Sequence, residues 1–294
     1  MKLLTKGSPP PPGGARPRGV PLMTHADHLG LTVALLAALA AVGAGCEGSS
    51  LTTVGDESLG LVVVLPGIEG PLSGLAEDVR TGLREAGVKR AIYIHAWGAP
   101  VPGAGLLINQ MNFVGNRSWE AWRLASTIQT YRNGHPDQPV HVIGHSGGGG
   151  IAVFAAEALG ETHVDGLVLL SASISGDYKL APALAHCREG IVNFYNPADQ
   201  ALLGVGTTLA GNVDGGRAPS AGLNGFSVRP AGLYQQQVPS PAGMDPHVAA
   251  TRPDFVRTRV APWVLAPDWP PGLAQRSTEP PATADRQMAA AERR

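Results

Sequence analysis

The chain has 294 residues, of which 44% are hydrophobic and 15% are charged, so it holds enough apolar material for one sizeable core. Its 22 basic and 23 acidic residues leave a net charge near zero, which argues against a broad electrostatic surface for nucleic acid. The only two cysteines, Cys46 and Cys187, have no metal-ligand spacing, so neither a disulfide framework nor a structural zinc site is expected.

The first 58 residues are predicted to be a leader and linker. Residues Leu29–Ala44 are apolar and carry no charge, and small residues then precede Cys46 and a polar stretch. This pattern resembles a bacterial lipoprotein signal peptide, in which Cys46 would be lipidated and the chain attached to a membrane. An ordinary cleaved signal and an uncleaved anchor are the alternatives. All three predict export to the bacterial cell envelope, as a lipid-anchored, periplasmic or secreted protein.

A globular pattern begins at Leu59 and is predicted to form one domain over residues 59–270. Strand-length apolar runs alternate there with helical patterns, which is typical of an α/β fold with a mostly parallel, doubly wound sheet and helices on both faces. The predicted strands are 61–65, 91–97, 140–143, 164–170, 190–195 and 232–238. The predicted helices are 72–86, 117–131, 151–159 and 254–261, with a long loop at 98–116 and a disordered tail at 271–294.

The most informative stretch is Val140–Gly150, which reads VHVIGHSGGGG and precedes an apolar, helix-forming run. A strand that enters a Gly-x-Ser-x-Gly turn and leaves as a helix is a nucleophile elbow. Ser146 lies at the bend, and Gly144 and Gly148 leave room for the strand and the helix to approach each other. The sequence therefore predicts Ser146 as a catalytic nucleophile.

An acid for the same site is sought where strands end, because the carboxyl ends of parallel strands meet at one edge of the sheet. Asp199 lies just after the strand predicted at 190–195, in a turn that contains proline. Asp177 follows the preceding strand and is the competitor. Asp165 begins its strand and should face the opposite edge. Asp199 is the preferred acid.

Three histidines follow the elbow, and their positions separate them. His163 and His186 come directly before strands, at the wrong edge of the sheet. His247 lies between the last strand and the last helix, from where it can reach Ser146. It is predicted to act as the general base, with Asp199 holding its tautomer.

The developing oxyanion needs backbone amide donors. The expected pair is the N–H of Gly147, directly after the nucleophile, and one N–H from the loop after the first strand. That loop is Pro66–Gly70, and Ile68 is its predicted donor.

Taken together, Ser146 within Gly144–Gly148, then Asp199, then His247, in this order on alternating strands and helices, resemble the α/β-hydrolase superfamily, particularly its esterase and lipase-like members. The resemblance spans about residues 59–269. It implies a serine hydrolase that uses an acyl-enzyme and needs no metal or organic cofactor. Few residues separate the strands predicted at 164–170 and 190–195, so the helical cap should be minimal.

The resemblance favours a small-molecule or lipid ester as substrate. Leu106, Leu107, Met111 and Phe113 in the loop at 98–116 are predicted either to line an acyl-binding wall or to join the core. Two other functions stay open at this point: a peptidase or thioesterase of the same fold, and a non-catalytic envelope lipoprotein that uses the fold for binding.

Overall fold

The computed structural model describes residues 53–70, 73–98, 104–200, 211–240 and 242–272, and only the backbone over 104–116. Of the predicted leader and linker at 1–58, residues 1–52, including Cys46, lie outside these ranges, as do residues 273–294 of the predicted tail. Among the described residues, no helix is both long enough and apolar enough to cross a membrane.

Six parallel strands form one sheet, in the order β2-β1-β3-β4-β5-β6. This confirms the predicted α/β class. The strands are β1 (Asp56–Leu65), β2 (Arg90–Ile94), β3 (Val140–His145), β4 (Val164–Leu170), β5 (Cys187–Tyr195) and β6 (Leu233–Gln237). The helices are α1 (Leu75–Glu85), α2 (Ala104–Gly134), α3 (Gly147–Glu157), α4 (Ala181–Leu184) and α5 (Ala221–Asn224). A last helical segment joins α6 (Pro253–Phe255), a π-helical stretch (Val256–Val260) and α7 (Ala261–Leu265).

The central strands are apolar on both faces because both faces are covered by helices. In β1, Val63 and Leu65 face a core shared with α2 and α3, whereas Val62 and Val64 face a core shared with α1 and the last helical segment. All four valine and leucine side chains are at most 1% exposed. Two helical layers therefore enclose the sheet, as the apolar runs predicted.

The loop predicted over 98–116 is wrong from residue 104 onward. Helix α2 begins at Ala104 and runs for 31 residues to Gly134, so the predicted helix at 117–131 is only its second half. The apolar candidates for an acyl-binding wall, Leu106, Leu107, Met111 and Phe113, fall in the first half, where the side chains lie outside the described part. Their role stays a prediction.

The connection from β4 to β5 covers residues 171–186 and contains one short helix, α4. A connection of this length cannot fold into a large helical cap, which agrees with the minimal cap expected from the sequence. The carboxyl edge of the sheet is flanked by the turn after β1, the elbow between β3 and α3, the turn after β5, and the loop before α6.

Candidate active site

Ser146 has the strained backbone of a nucleophile elbow. Its φ is 50° and its ψ is −121°, between the end of β3 and the start of α3. A serine rarely adopts positive φ, and such strain is held only where the surrounding structure enforces it. Here the Ser146 N–H donates to the Leu170 carbonyl at 2.9 Å, and the Ser173 N–H donates to the Ser146 carbonyl at 3.0 Å. The end of β4 and the segment directly after it thus hold the turn from both sides.

The glycines two residues before and after Ser146 are required by close backbone packing. A Cβ at Gly144 would lie 2.5 Å from the carbonyl oxygen of Gly148, and a Cβ at Gly148 would lie 2.2 Å from the carbonyl oxygen of Pro66. Real Cβ atoms do not approach backbone this closely. Both glycines therefore allow the strand, the helix and the loop after β1 to pack closely around Ser146.

Asp199 and His247 form a buried pair. The Nδ1 of His247 lies 2.6 Å from Oδ2 of Asp199, and the two residues are 7% and 1% exposed. An N–H at Nδ1 that donates to the carboxylate leaves Nε2 as the basic nitrogen. The structure brings His247 to the elbow as well, because its ring centroid lies 4.9 Å from that of His145, the residue directly before Ser146.

Asp177, Asp165 and His186, which the sequence ranked lower, lie away from this pair. Asp177, the competing acid, is exposed. Asp165 pairs with Arg132 at 2.6 Å and accepts the Val140 N–H at 2.7 Å, at the amino-terminal edge of the sheet as predicted. The side chain of His186 also lies there, where its Nδ1 is 3.2 Å from the Thr162 carbonyl just before β4.

The loop after β1 lies against the elbow. A Cβ at Gly67 would be 2.8 Å from Cβ of Ser146, and a Cβ at Gly147 would be 3.0 Å from Cγ2 of Ile68. Gly147 is the first residue of α3, so its N–H has no acceptor within the helix. Trp97 supports the loop by donating its indole N–H to the Pro66 carbonyl at 2.7 Å. Ile68 and Gly147 are thus adjacent, and their role as oxyanion donors stays a prediction.

Sequence reasoning missed two residues that connect these segments. The Nδ1 of His145 lies 3.2 Å from Oε1 of Glu69, and its Nε2 lies 3.2 Å from the carbonyl oxygen of His247. The same Glu69 oxygen accepts the Gly67 N–H at 2.8 Å. Burial opposes ionisation of Glu69, but its hydrogen bond and charge interaction with His145 outweigh burial and lower its pKa. A carboxylate in the loop after β1 and a histidine at the variable elbow position were the available signals.

Asn196 was missed too. Its side-chain amide donates to Oγ of Ser240 at 2.5 Å and to the Pro246 carbonyl at 2.9 Å, and its Oδ1 accepts the Ala198 N–H at 3.1 Å. Asn196 is 1% exposed. It therefore fastens the turn that carries the acid to the loop that carries the histidine.

Comparison with known proteins agrees with this architecture. A family model for the alpha/beta hydrolase fold matches residues 102–202, a segment that contains the elbow and Asp199 and ends before His247. No curated protein sequence matches the chain.

Solved structures with a similar chain course include three hydrolases. A predicted CIB-like hydrolase from Thermoplasma acidophilum is 14% identical, with 69% of this chain and 86% of that chain covered and a TM-score of 0.40. A dienelactone hydrolase from Anabaena variabilis is 18% identical, with 71% and 84% covered and a TM-score of 0.35. An α/β serine hydrolase without a lid from Xanthomonas campestris is 12% identical, with 70% and 82% covered and a TM-score of 0.39. With its parallel sheet, its strained elbow and the matched segment, this chain is an α/β-hydrolase-fold protein.

Proposed function

We propose that the protein is a serine hydrolase that cleaves carboxylic esters through an acyl-enzyme on Ser146. The observation that carries the proposal is the buried 2.6 Å pair between His247 and Asp199, set beside a serine with a strained backbone. A buried carboxylate and a positive φ at a serine both cost free energy, and such costs concentrate at functional sites.

The first half-reaction forms the acyl-enzyme. Nε2 of His247 accepts the proton of the Ser146 hydroxyl as the oxygen attacks the ester carbonyl carbon. The carbonyl oxygen becomes an oxyanion, for which the Gly147 N–H and an amide of the loop at Ile68 are the proposed donors. When the intermediate collapses, the bond to the alcohol oxygen breaks, and the imidazolium returns its proton to that oxygen. The alcohol leaves.

The second half-reaction regenerates the serine. His247 accepts a proton from water, and the hydroxide oxygen attacks the acyl carbon. The bond to Oγ of Ser146 then breaks, the serine regains a proton from the imidazolium, and the carboxylic acid departs. In both halves Asp199 stabilises the charged imidazole and fixes its orientation without taking the proton.

Active-site labelling tests the nucleophile. A fluorophosphonate should label the parent protein, and Ser146→Ala should abolish the label. Ser171→Ala is a matched control, because Ser171 is also a buried serine with a positive φ, of 46°. Label on Ser171→Ala but not on Ser146→Ala supports the assignment. A folded parent that takes up no label contradicts it and favours the non-catalytic binding protein.

Turnover assays test the substrate class. A panel of activated esters of increasing acyl length, an acyl thioester and a peptide anilide should show the highest kcat/KM on one of the esters. Preference for the thioester or the anilide would replace the esterase assignment by the thioesterase or the peptidase.

Export and membrane attachment form a separate proposal, supported only by the sequence before residue 58. Lipidation at Cys46 predicts a mature chain that begins at this cysteine and carries a lipid mass in the membrane fraction. A soluble mature chain that begins elsewhere would indicate an ordinary cleaved signal, and an intact leader in the membrane would indicate an anchor.

A further inference from the structure

We infer that Glu69 and His145 are positioning residues. Together they hold the loop after β1 (Pro66–Gly70) and the loop that carries His247 against Ser146. The inference rests on the proposed function and deepens it. Neither residue is placed where it reacts with substrate. Each is instead bonded to backbone of a segment that supplies a reacting group.

Glu69 acts on the loop after β1. Its Oε1 accepts the Gly67 N–H at 2.8 Å, which closes a tight turn of the loop. A Cβ at Gly67 would lie 2.3 Å from Oε2 of Glu69 and 2.8 Å from Cβ of Ser146. The carboxylate, the glycine and the nucleophile are thus packed in direct succession, so a shift of the carboxylate moves the loop relative to Ser146.

His145 acts on the opposite side of the elbow. It is the last residue of β3, and its side chain is 3% exposed. Its Nδ1 faces Oε1 of Glu69, and its Nε2 faces the His247 carbonyl, each at 3.2 Å. These two contacts join segments that lie 76 and 102 residues away in sequence. Through one imidazole, the loop after β1 is connected to the backbone of the proposed general base.

Both partners of the His145 ring are hydrogen-bond acceptors. The Glu69 carboxylate faces Nδ1 and the His247 carbonyl oxygen faces Nε2, so this one ring bridges the two loops. A carboxylate accepts a hydrogen bond more strongly than a neutral amide oxygen does, so removing the charge of Glu69 should weaken the contact with Nδ1.

The Glu69–His145 pair therefore sets the position of the reacting groups and does not bind substrate. A displacement of about 1 Å in a catalytic group can lower the rate by about 100-fold. Loss of the pair should reduce kcat while KM changes little, because neither side chain is proposed to contact substrate.

The test uses Glu69→Gln and His145→Gln in the full chain. Glu69→Gln keeps the shape and an oxygen acceptor for Gly67 but removes the charge. We expect kcat on an activated ester, and the rate of fluorophosphonate labelling at Ser146, to fall by about 10- to 100-fold, with KM within about threefold of the parent. The double variant should be no slower than the slower single variant, because the two side chains act as one unit.

The matched control is His141→Gln. His141 lies four residues earlier on β3, is 2% exposed, and is bonded to Arg90 at 3.2 Å, away from the elbow. The His141→Gln variant should unfold at a lower temperature than the parent. Its kcat per folded molecule should stay within about twofold of the parent value. If His145→Gln does not fold, Glu69→Gln decides alone, because the Glu69 side chain is 21% exposed and can be replaced with less disturbance of the core.

Three results would overturn the inference while leaving the proposed function intact: an active parent whose kcat is unchanged in both variants, additive losses in the double variant, or an equal loss in His141→Gln. A parent that neither labels at Ser146 nor hydrolyses esters refutes the proposed function, and the inference fails with it.

Discussion

Replacing Asp199 by asparagine should reduce turnover far more than any other conservative change of an acid in this chain. The substitution keeps the size of the side chain but removes the charge that faces His247 at 2.6 Å. In the transition state of the proposed reaction, His247 is positively charged. With about 4 Å between the centres of charge and an effective dielectric constant of about 20, the carboxylate stabilises the imidazolium by about 4 kcal/mol. Since each 1.36 kcal/mol corresponds to about a factor of ten in rate, kcat should fall by about 1000-fold.

The assay is steady-state hydrolysis of an activated ester, with the folded fraction of each variant measured by thermal unfolding. Asp177→Asn is the matched control, because Asp177 is the alternative acid that the sequence offers and its side chain is exposed. Asp177→Asn should leave kcat within about twofold of the parent, because substitutions of exposed side chains usually have small effects. A loss of less than threefold in Asp199→Asn, or a larger loss in Asp177→Asn, would refute the assignment of the acid.

The remaining predictions concern packing and titration. Gly148→Ala places a methyl group 2.2 Å from the Pro66 carbonyl oxygen, so chemical denaturation should show a free energy of unfolding lower by about 1–3 kcal/mol. The control is Gly134→Ala, where the added Cβ meets open space. It should change the free energy of unfolding by less than about 0.5 kcal/mol. Burial and a neighbouring arginine lower the pKa of His141 to about 3, from about 6.5 in the unfolded chain. The unfolded chain therefore binds the proton at a higher pH than the folded protein does. Stability should fall as the pH drops from about 6.5 towards 3. Between pH 7 and pH 5 the parent should lose about 2 kcal/mol relative to His141→Gln, and equal pH dependence of the two would contradict a buried neutral ring. Burial raises the pKa of the Cys187 thiol to about 12, so iodoacetamide at pH 8 should modify this cysteine only after unfolding; rapid modification of the folded protein, seen by site-resolved mass spectrometry, would contradict that burial.

The sheet could be predicted because its strands are short, continuous runs of β-branched and aliphatic residues. The runs at β1, β3 and β4 end at glycine, proline or serine, and their lengths exclude long helices. The sequence also allowed candidates for the serine, the acid and the histidine to be chosen, because parallel strands place their carboxyl ends at one edge of the sheet. That topological rule placed Asp165, His163 and His186 at the wrong edge. Asp199 was preferred to Asp177 because it lies directly after its strand, in a turn that contains proline.

Helix propensity along the sequence misplaced the start of two helices. Residues 104–116 contain glycines and asparagines, which are poor helix formers, and yet they form the first half of α2. The elbow helix likewise starts at Gly147, with four consecutive glycines, and not at Ile151 where the helix was predicted. These glycines are kept helical by close neighbours. A Cβ at Gly149 would lie 2.7 Å from Cβ of Ala172, which leaves no room for a stronger helix former.

The supporting residues could not be predicted, because their contacts depend on how distant loops approach each other. Nothing in the turn Pro66–Gly70 indicates that Glu69 meets an imidazole 76 residues later. His145 occupies a variable position of the elbow motif, and only the structure shows that its ring is enclosed between a carboxylate and the His247 carbonyl. The contacts of Asn196 with Ser240 and Pro246 likewise join segments that lie 44 and 50 residues apart.

The most direct test of the central claim is peptide mapping of the covalent adduct. After reaction of the folded parent with a fluorophosphonate, intact mass should show one adduct per chain, and mapping should place it on the peptide that contains Ser146. The adduct should form more slowly in His247→Ala and be absent in Ser146→Ala. An unmodified parent, or an adduct on a different residue, would contradict the account of Ser146 as the nucleophile of this fold.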